Sequence, residues 1–136
     1  MLDLLGAWTL QSSVNYRNNV GTPTFGDPPA GQIQYTTDGR MSAVLMDPAW
    51  ATRGSTEADS FTDFFAYAGS WRLDGDRVSH AIEFASAPAR VGTTFVRTLR
   101  VIDADHIELQ TEPEVSKSGA VYVTRLVWRR FRSTAA

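Results

Sequence analysis

The chain of 136 residues contains no cysteine. That excludes a disulfide scaffold, a thiolate nucleophile and any cysteine zinc site. Lysine is nearly absent too, since Lys117 is the only one among thirteen basic residues and the rest are arginine. With a net charge of -2 there is no basic excess, so nucleic acid is not the expected partner. No apolar run approaches membrane-spanning length. The segment Met1-Leu2-Asp3-Leu4-Leu5-Gly6 lacks the basic and long apolar regions of a signal peptide, which makes a cytoplasmic location the expectation. Phosphate loops and nucleophile elbows are missing. Two distant histidines, His80 and His106, give no metal-ligand spacing, and no cofactor is implied.

What is present reads as strands. Trp8, Leu10, Ser12, Val14 and Tyr16 alternate with polar residues from Ala7 to Arg17, the period of a half-buried strand. Asn18 to Gly31 is rich in glycine and proline and reads as a long loop. Strands follow at Gln32–Thr36 and Arg40–Met46, around a Thr37-Asp38-Gly39 turn. Phe61, Phe64, Phe65 and Ala68 have helical spacing, with Ser60 as N-cap, Asp63 as its capping partner and Gly69 as C-terminal stop. This predicts one short helix carrying three phenylalanines, suited to cover a barrel mouth or to pair with a second copy of the chain. Further strands are expected at Ser70–Leu73, Arg77–Ala85, Thr93–Val101, around Ile107 and Leu109, and at Ala120–Arg132, with Glu112–Gly119 as a polar loop. Eight sequential strands with short links form an antiparallel meander, and closing it into a barrel removes its edges. The expected fold is therefore all-β: one eight-stranded, up-and-down antiparallel barrel spanning residues 1–136, with a short α-helix between its third and fourth strands.

Several segments then resemble the bacterial and fungal lipocalin-like domain family, barrels of calycin type. They are Leu5-Gly6-Ala7-Trp8-Thr9-Leu10, the run from Gly31 to Ser42 with its Tyr35-Thr36-Thr37-Asp38-Gly39-Arg40-Met41 core, Ala66-Tyr67-Ala68-Gly69, Val78-Ser79-His80, Arg97, and Leu126-Val127-Trp128-Arg129-Arg130. The resemblance implies that Trp8 plugs the closed end, with Arg129 or Arg130 over its ring. It also implies carriers of small hydrophobes, or cyclases and isomerases of secondary metabolism.

Two polar residues fall on apolar faces. His80 lies among Val78, Ile82 and Phe84, and Arg97 lies between Phe95 and Leu99. They are the candidate catalytic groups, His80 as acid or base and Arg97 as a clamp for a carboxylate or enolate oxygen. The competing reading is structural: a hydrogen-bonded core histidine, and an Arg97 paired with Glu83 or Glu108. Tyr35, Tyr67, Met41, Trp71, Tyr16 and Phe95 are the candidate ligand-binding residues. Arg40 is expected to pair with Asp38 or a nearby loop, and His106 to be exposed beside a turn. Three functions fit: binding of a small, largely apolar metabolite; a cofactor-independent cyclase or isomerase of a polyketide- or terpenoid-like substrate; and a plugged barrel serving protein interaction.

Overall fold

A computed structural model describes residues 3–53 and 61–132. Ten strands form one sheet: β1 (Gly6–Arg17), β2 (Val20–Pro23), β3 (Ala30–Tyr35), β4 (Arg40–Met46), β5 (Phe64–Asp74), β6 (Arg77–Ala85), β7 (Thr94–Asp103), β8 (His106–Thr111), β9 (Glu114–Val115) and β10 (Val121–Arg130). Pairing of β1 with β10 closes the ring β1-β3-β4-β5-β6-β7-β8-β10, an eight-stranded antiparallel barrel, while β2 and β9 add to its margin.

Three expectations change. Of the residues read as a helix over 60–69, those from Phe64 onward instead begin β5, and the short helix α1 (Pro48–Arg53) lies earlier in the same connection. The Asp47 carboxylate accepts the Ala49 N–H at 2.9 Å and Pro48 opens the helix, an ordinary start signal. The proposed cap Ser60 lies outside the described residues, and the Asp63 carboxylate pairs with Arg53 at 3.2 Å. The expected loop from Asn18 to Gly31 holds β2, because Asn18 and Asn19 both take positive φ (47° and 70°) and turn β1 tightly back on itself. The expected loop from Glu112 to Gly119 likewise contains β9.

Bulges displace the in–out alternation. Register slips between Leu10 and Ser12 of β1, so Trp8 and Leu10 face inward, but beyond the bulge the inward residues are Ser13 and Asn15. Tyr16 thereby turns away from the interior, and Arg125 stacks over its ring at 4.9 Å. A second slip, where β5 meets β6, sends Phe84 to the surface at 62 % exposure although Val78, His80 and Ile82 stay buried.

Meander topology gives the barrel two unlike ends. Tight turns at 36–39, 75–76 and 104–105 gather at one end, together with Gly6 and Arg130. There Trp8 is fully buried, its indole N–H donates to the Leu4 carbonyl at 3.0 Å, and Arg130 stacks over the ring at 4.3 Å. Arg130 also ties down the Leu5 and Asp3 carbonyls. The arginine over Trp8 is thus Arg130, and this end is plugged. The longer connections lie at the opposite end.

Candidate functional site

A cavity of about 710 Å³ opens among those longer connections. Its exposed margin includes Thr22, Phe61, Arg90, Thr93, Glu112 and Glu114, and its buried depth is formed by Ile33, Leu45, Leu109, Leu126 and Trp128. One wall is aromatic: Phe25, Phe61, Phe65, Tyr67 and Phe95 form a chain of edge and tilted ring contacts with centroids 5.2–6.3 Å apart. Phe61 and Phe65, assigned to a helix face by their spacing, meet on this wall, whereas Phe64 points the other way and packs on Trp50 of α1. The opposite wall is polar but internally satisfied. Ser13 and Thr24 share a hydrogen bond of 2.6 Å, and the Asn15 amide donates to Thr124 at 2.9 Å.

His80 sits where the aromatic wall meets the core. Its Nε2 lies 2.7 Å from the Tyr35 hydroxyl and its Nδ1 lies 3.2 Å from the Tyr67 hydroxyl. Burial first, and the charge of Arg97 second, push its pKa down to about 3, so the ring is neutral near pH 7. A neutral imidazole donates from one nitrogen and accepts at the other, and donor counting assigns which. If Tyr67 donated to Nδ1, Nε2–H would donate to Tyr35, stranding the Tyr35 proton in the core, since Tyr35 is 2 % exposed and not on the cavity wall. An unmade buried bond of that kind costs about 1–3 kcal/mol. The reverse order avoids it: Tyr35 donates to Nε2, Nδ1–H donates to Tyr67, and the leftover proton is that of Tyr67, which faces the cavity. Burial also raises the Tyr67 pKa to about 12 and that of Tyr35 well above its usual value, so both phenols keep their protons.

Arg97 lies on the same wall, half-buried, its guanidinium 4.4 Å from the Phe95 ring centre. Neither proposed carboxylate partner reaches it. Glu83 pairs with Arg40, which takes this partner instead of Asp38, and Glu108 pairs with Arg100. Among the described residues the Arg97 side chain forms no ion pair, and its one hydrogen bond is donated to the Val96 carbonyl at 3.3 Å. Burial first, and the Arg90 charge to a lesser degree, lower its pKa, an effect opposed by the adjacent phenols of Tyr67 and Tyr35 and by the Glu114 carboxylate.

The structure therefore brings His80, Arg97, Tyr67 and Phe95 to one cavity. Tyr35 stands directly behind His80. Met41 is buried in the core away from the cavity, and Trp71 packs against Tyr35 with ring centres 4.9 Å apart while its indole donates to the Thr36 carbonyl. Tyr16 is outside. His106 stands beside its turn and contacts Asp103 at 2.8 Å. Sequence reasoning missed Ser13 and Asn15, hidden by the bulge, and Trp128, whose inward parity with Leu126 and Thr124 was the available signal.

Residues 5–131 match the family model described as the lipocalin-like domain, and the chain belongs to that family. An uncharacterized protein from Bacteroides eggerthii shares the fold, with a TM-score of 0.52 and 13 % identity over 95 % of this chain and 100 % of the other. A redesigned β-barrel (TM-score 0.47, 11 % identity, 95 % and 92 % covered) and a de novo designed fluorescence-activating β-barrel (0.46, 16 %, 96 % and 100 %) are also similar. No curated protein matches the chain. Among the described residues no helix is long and apolar enough to cross a membrane.

Proposed function

We propose that the barrel binds one small, largely apolar molecule and anchors an anionic oxygen of it, carboxylate or enolate, between Arg97 and the Tyr67 hydroxyl. The observation that carries this reading is Arg97, a guanidinium on the cavity wall with an aromatic ring beneath it and, among the described residues, no carboxylate within ion-pair distance. A half-buried cation without a contact ion pair is costly, and an anionic ligand reduces that cost. The volume of about 710 Å³ lies within the range of small-molecule sites, and the aromatic wall suits an apolar body. Native mass spectrometry of the protein purified from its own host is expected to reveal one bound molecule per chain. Titration with 2-naphthoate is expected to weaken by at least about tenfold in Arg97→Gln, whereas neutral 2-methylnaphthalene binds both forms alike. Equal 2-naphthoate affinity in both forms overturns the reading.

A second reading is a cofactor-independent cyclase or isomerase of a polyketide- or terpenoid-like substrate. It is favoured by the same pairing of a phenol proton with a guanidinium, which would stabilise an enolate oxygen. A co-purified molecule that converts on incubation to an isomer separable by chromatography supports turnover, and one that persists unchanged supports a carrier.

A further inference from the structure

The bond between Asn15 and Thr124 ties the polar wall of the cavity together without using it up. The two are register partners on β1 and β10, half-buried, and both line the cavity. The Asn15 amide N–H donates to the Thr124 Oγ1, which leaves the Asn15 carbonyl oxygen and the Thr124 hydroxyl proton without a partner among the described residues. Thr111 of β8 repeats the pattern: its hydroxyl accepts the Thr124 backbone N–H at 2.9 Å and spends no proton. Among the described side chains that are at least partly buried, the only unpartnered nitrogen or oxygen sealed from solvent is the Trp128 Nε1. The Asn15 carbonyl oxygen is therefore open. Parity turns this side chain inward, in step with Ser13 and opposite to Tyr16, so what it opens to is the cavity.

Register sets these groups in one row with Arg97. Arg97 of β7 pairs with Thr111, Thr111 bonds Thr124, and Thr124 pairs with Asn15. Four neighbouring strands spaced about 4.8 Å apart put Asn15 about 14 Å from Arg97 along the curved wall, and nearer across the cavity. Two residues further toward the plugged end, β8 and β10 carry the buried Leu109 and Leu126, so the row is a polar belt above an apolar floor. We infer that the Asn15 amide and the Thr124 hydroxyl form a second contact for the ligand, recognising a hydroxyl group held across the cavity from the anion at Arg97. A hydroxyl matches because it both donates and accepts: its O–H donates to the Asn15 carbonyl and its oxygen accepts from Thr124. A ketone or an ether meets only half of the pair. The ligand class that follows is a hydroxylated acid with an apolar ring body. The inference rests on the anion reading proposed above, which supplies the other end of the molecule.

The 5-, 6- and 7-hydroxy-2-naphthoates test it against 2-naphthoate, which lacks the hydroxyl, and against their methoxy counterparts, which keep the oxygen and lose its proton. At least one hydroxynaphthoate is expected to bind about tenfold more tightly than 2-naphthoate and than its own methoxy ether. That margin is expected to vanish in Asn15→Leu and to shrink in Thr124→Val, with 2-naphthoate itself binding both variants as it binds wild type. The chain has three asparagines, Asn15, Asn18 and Asn19. With ¹⁵N-labelled asparagine, the hydroxynaphthoate is expected to move the Asn15 side-chain amide resonances and to leave the other two pairs in place. If no hydroxyl isomer gains over 2-naphthoate, or if the gain survives both variants with the Asn15 resonances unmoved, the second contact is overturned. An affinity for 2-naphthoate that Arg97→Gln leaves unchanged, with the hydroxyl margin intact and still lost in Asn15→Leu, counts instead against the Arg97 reading.

Discussion

His80 bonds through both ring nitrogens and is held neutral by burial, and in the tautomer that leaves no proton stranded it turns the Tyr67 proton toward the cavity. The cost of that arrangement appears in acid. The folded-state pKa of about 3 lies below the ordinary 6.5, so the unfolded chain takes up a proton that the folded chain refuses. The stabilisation is complete above about pH 6.5 and is lost progressively as the pH falls toward about 3. Urea titrations at pH 6 and below are expected to show wild type losing about 1.4 kcal/mol per pH unit more than His80→Gln. Tyr35→Phe removes the donor to Nε2 and is expected to cost about 1–3 kcal/mol in the same assay. Tyr67→Phe deletes the proton offered to the ligand, and its affinity for 2-naphthoate is expected to fall about tenfold in the titration that tests Arg97.

At the scale of elements, Gly69 shows what sequence could and could not reveal. A helix stop was the natural reading of Phe61-x-x-Phe64-Phe65-x-x-Ala68-Gly69. In the structure a Cβ at Gly69 would run into the Ala81 carbonyl across the β5–β6 bulge. Gly69→Ala is accordingly expected to lower stability by about 1–3 kcal/mol in urea unfolding, the usual cost of overpacking. The strand was illegible because its outer positions are also apolar: Ala66 and Ala68 erase the alternation, and Phe64 packs on Trp50. Elsewhere polar outer residues Arg77, Ser79 and Glu83 made β6 readable, the Asp38-Gly39 and Asp47-Pro48 breaks bounded β4, and Gly119 marked the start of β10. His80 and Arg97 were found by their parity with Val78, Ile82 and Phe95, from which no bulge separates them. Ser13 and Asn15 were lost because a bulge is set by the partner strand, and no local pattern announces it. The bonding of His80 to two phenols was beyond reach as well, since Tyr35, Tyr67 and His80 lie on three strands.

At the scale of the whole molecule, the plugged end and the cavity divide the labour. Trp8, Leu4 and Arg130 hold the barrel shut, while the aromatic wall and its unpaired donors leave space for a guest. Because only the folded barrel presents that space, binding must stabilise the fold. A ligand at one hundred times its Kd is expected to add about 2.7 kcal/mol, read as a rise in Tm that grows with ligand concentration.

The β1–β10 seam bears on how the molecule comes into being. Trp8 pairs with Arg130, so the contact that closes the ring joins segments more than a hundred residues apart. Such a closure belongs late in folding, after the hairpins between neighbouring strands have formed, and a topology of this kind folds slowly. On the ribosome β1 has its β2 and β3 partners long before β10 emerges, and until then the barrel is an open, curling sheet with a bare edge. Its vulnerable moment is therefore before completion, when that edge can pair with another nascent chain, and the last strand to be made is the one that ends the danger.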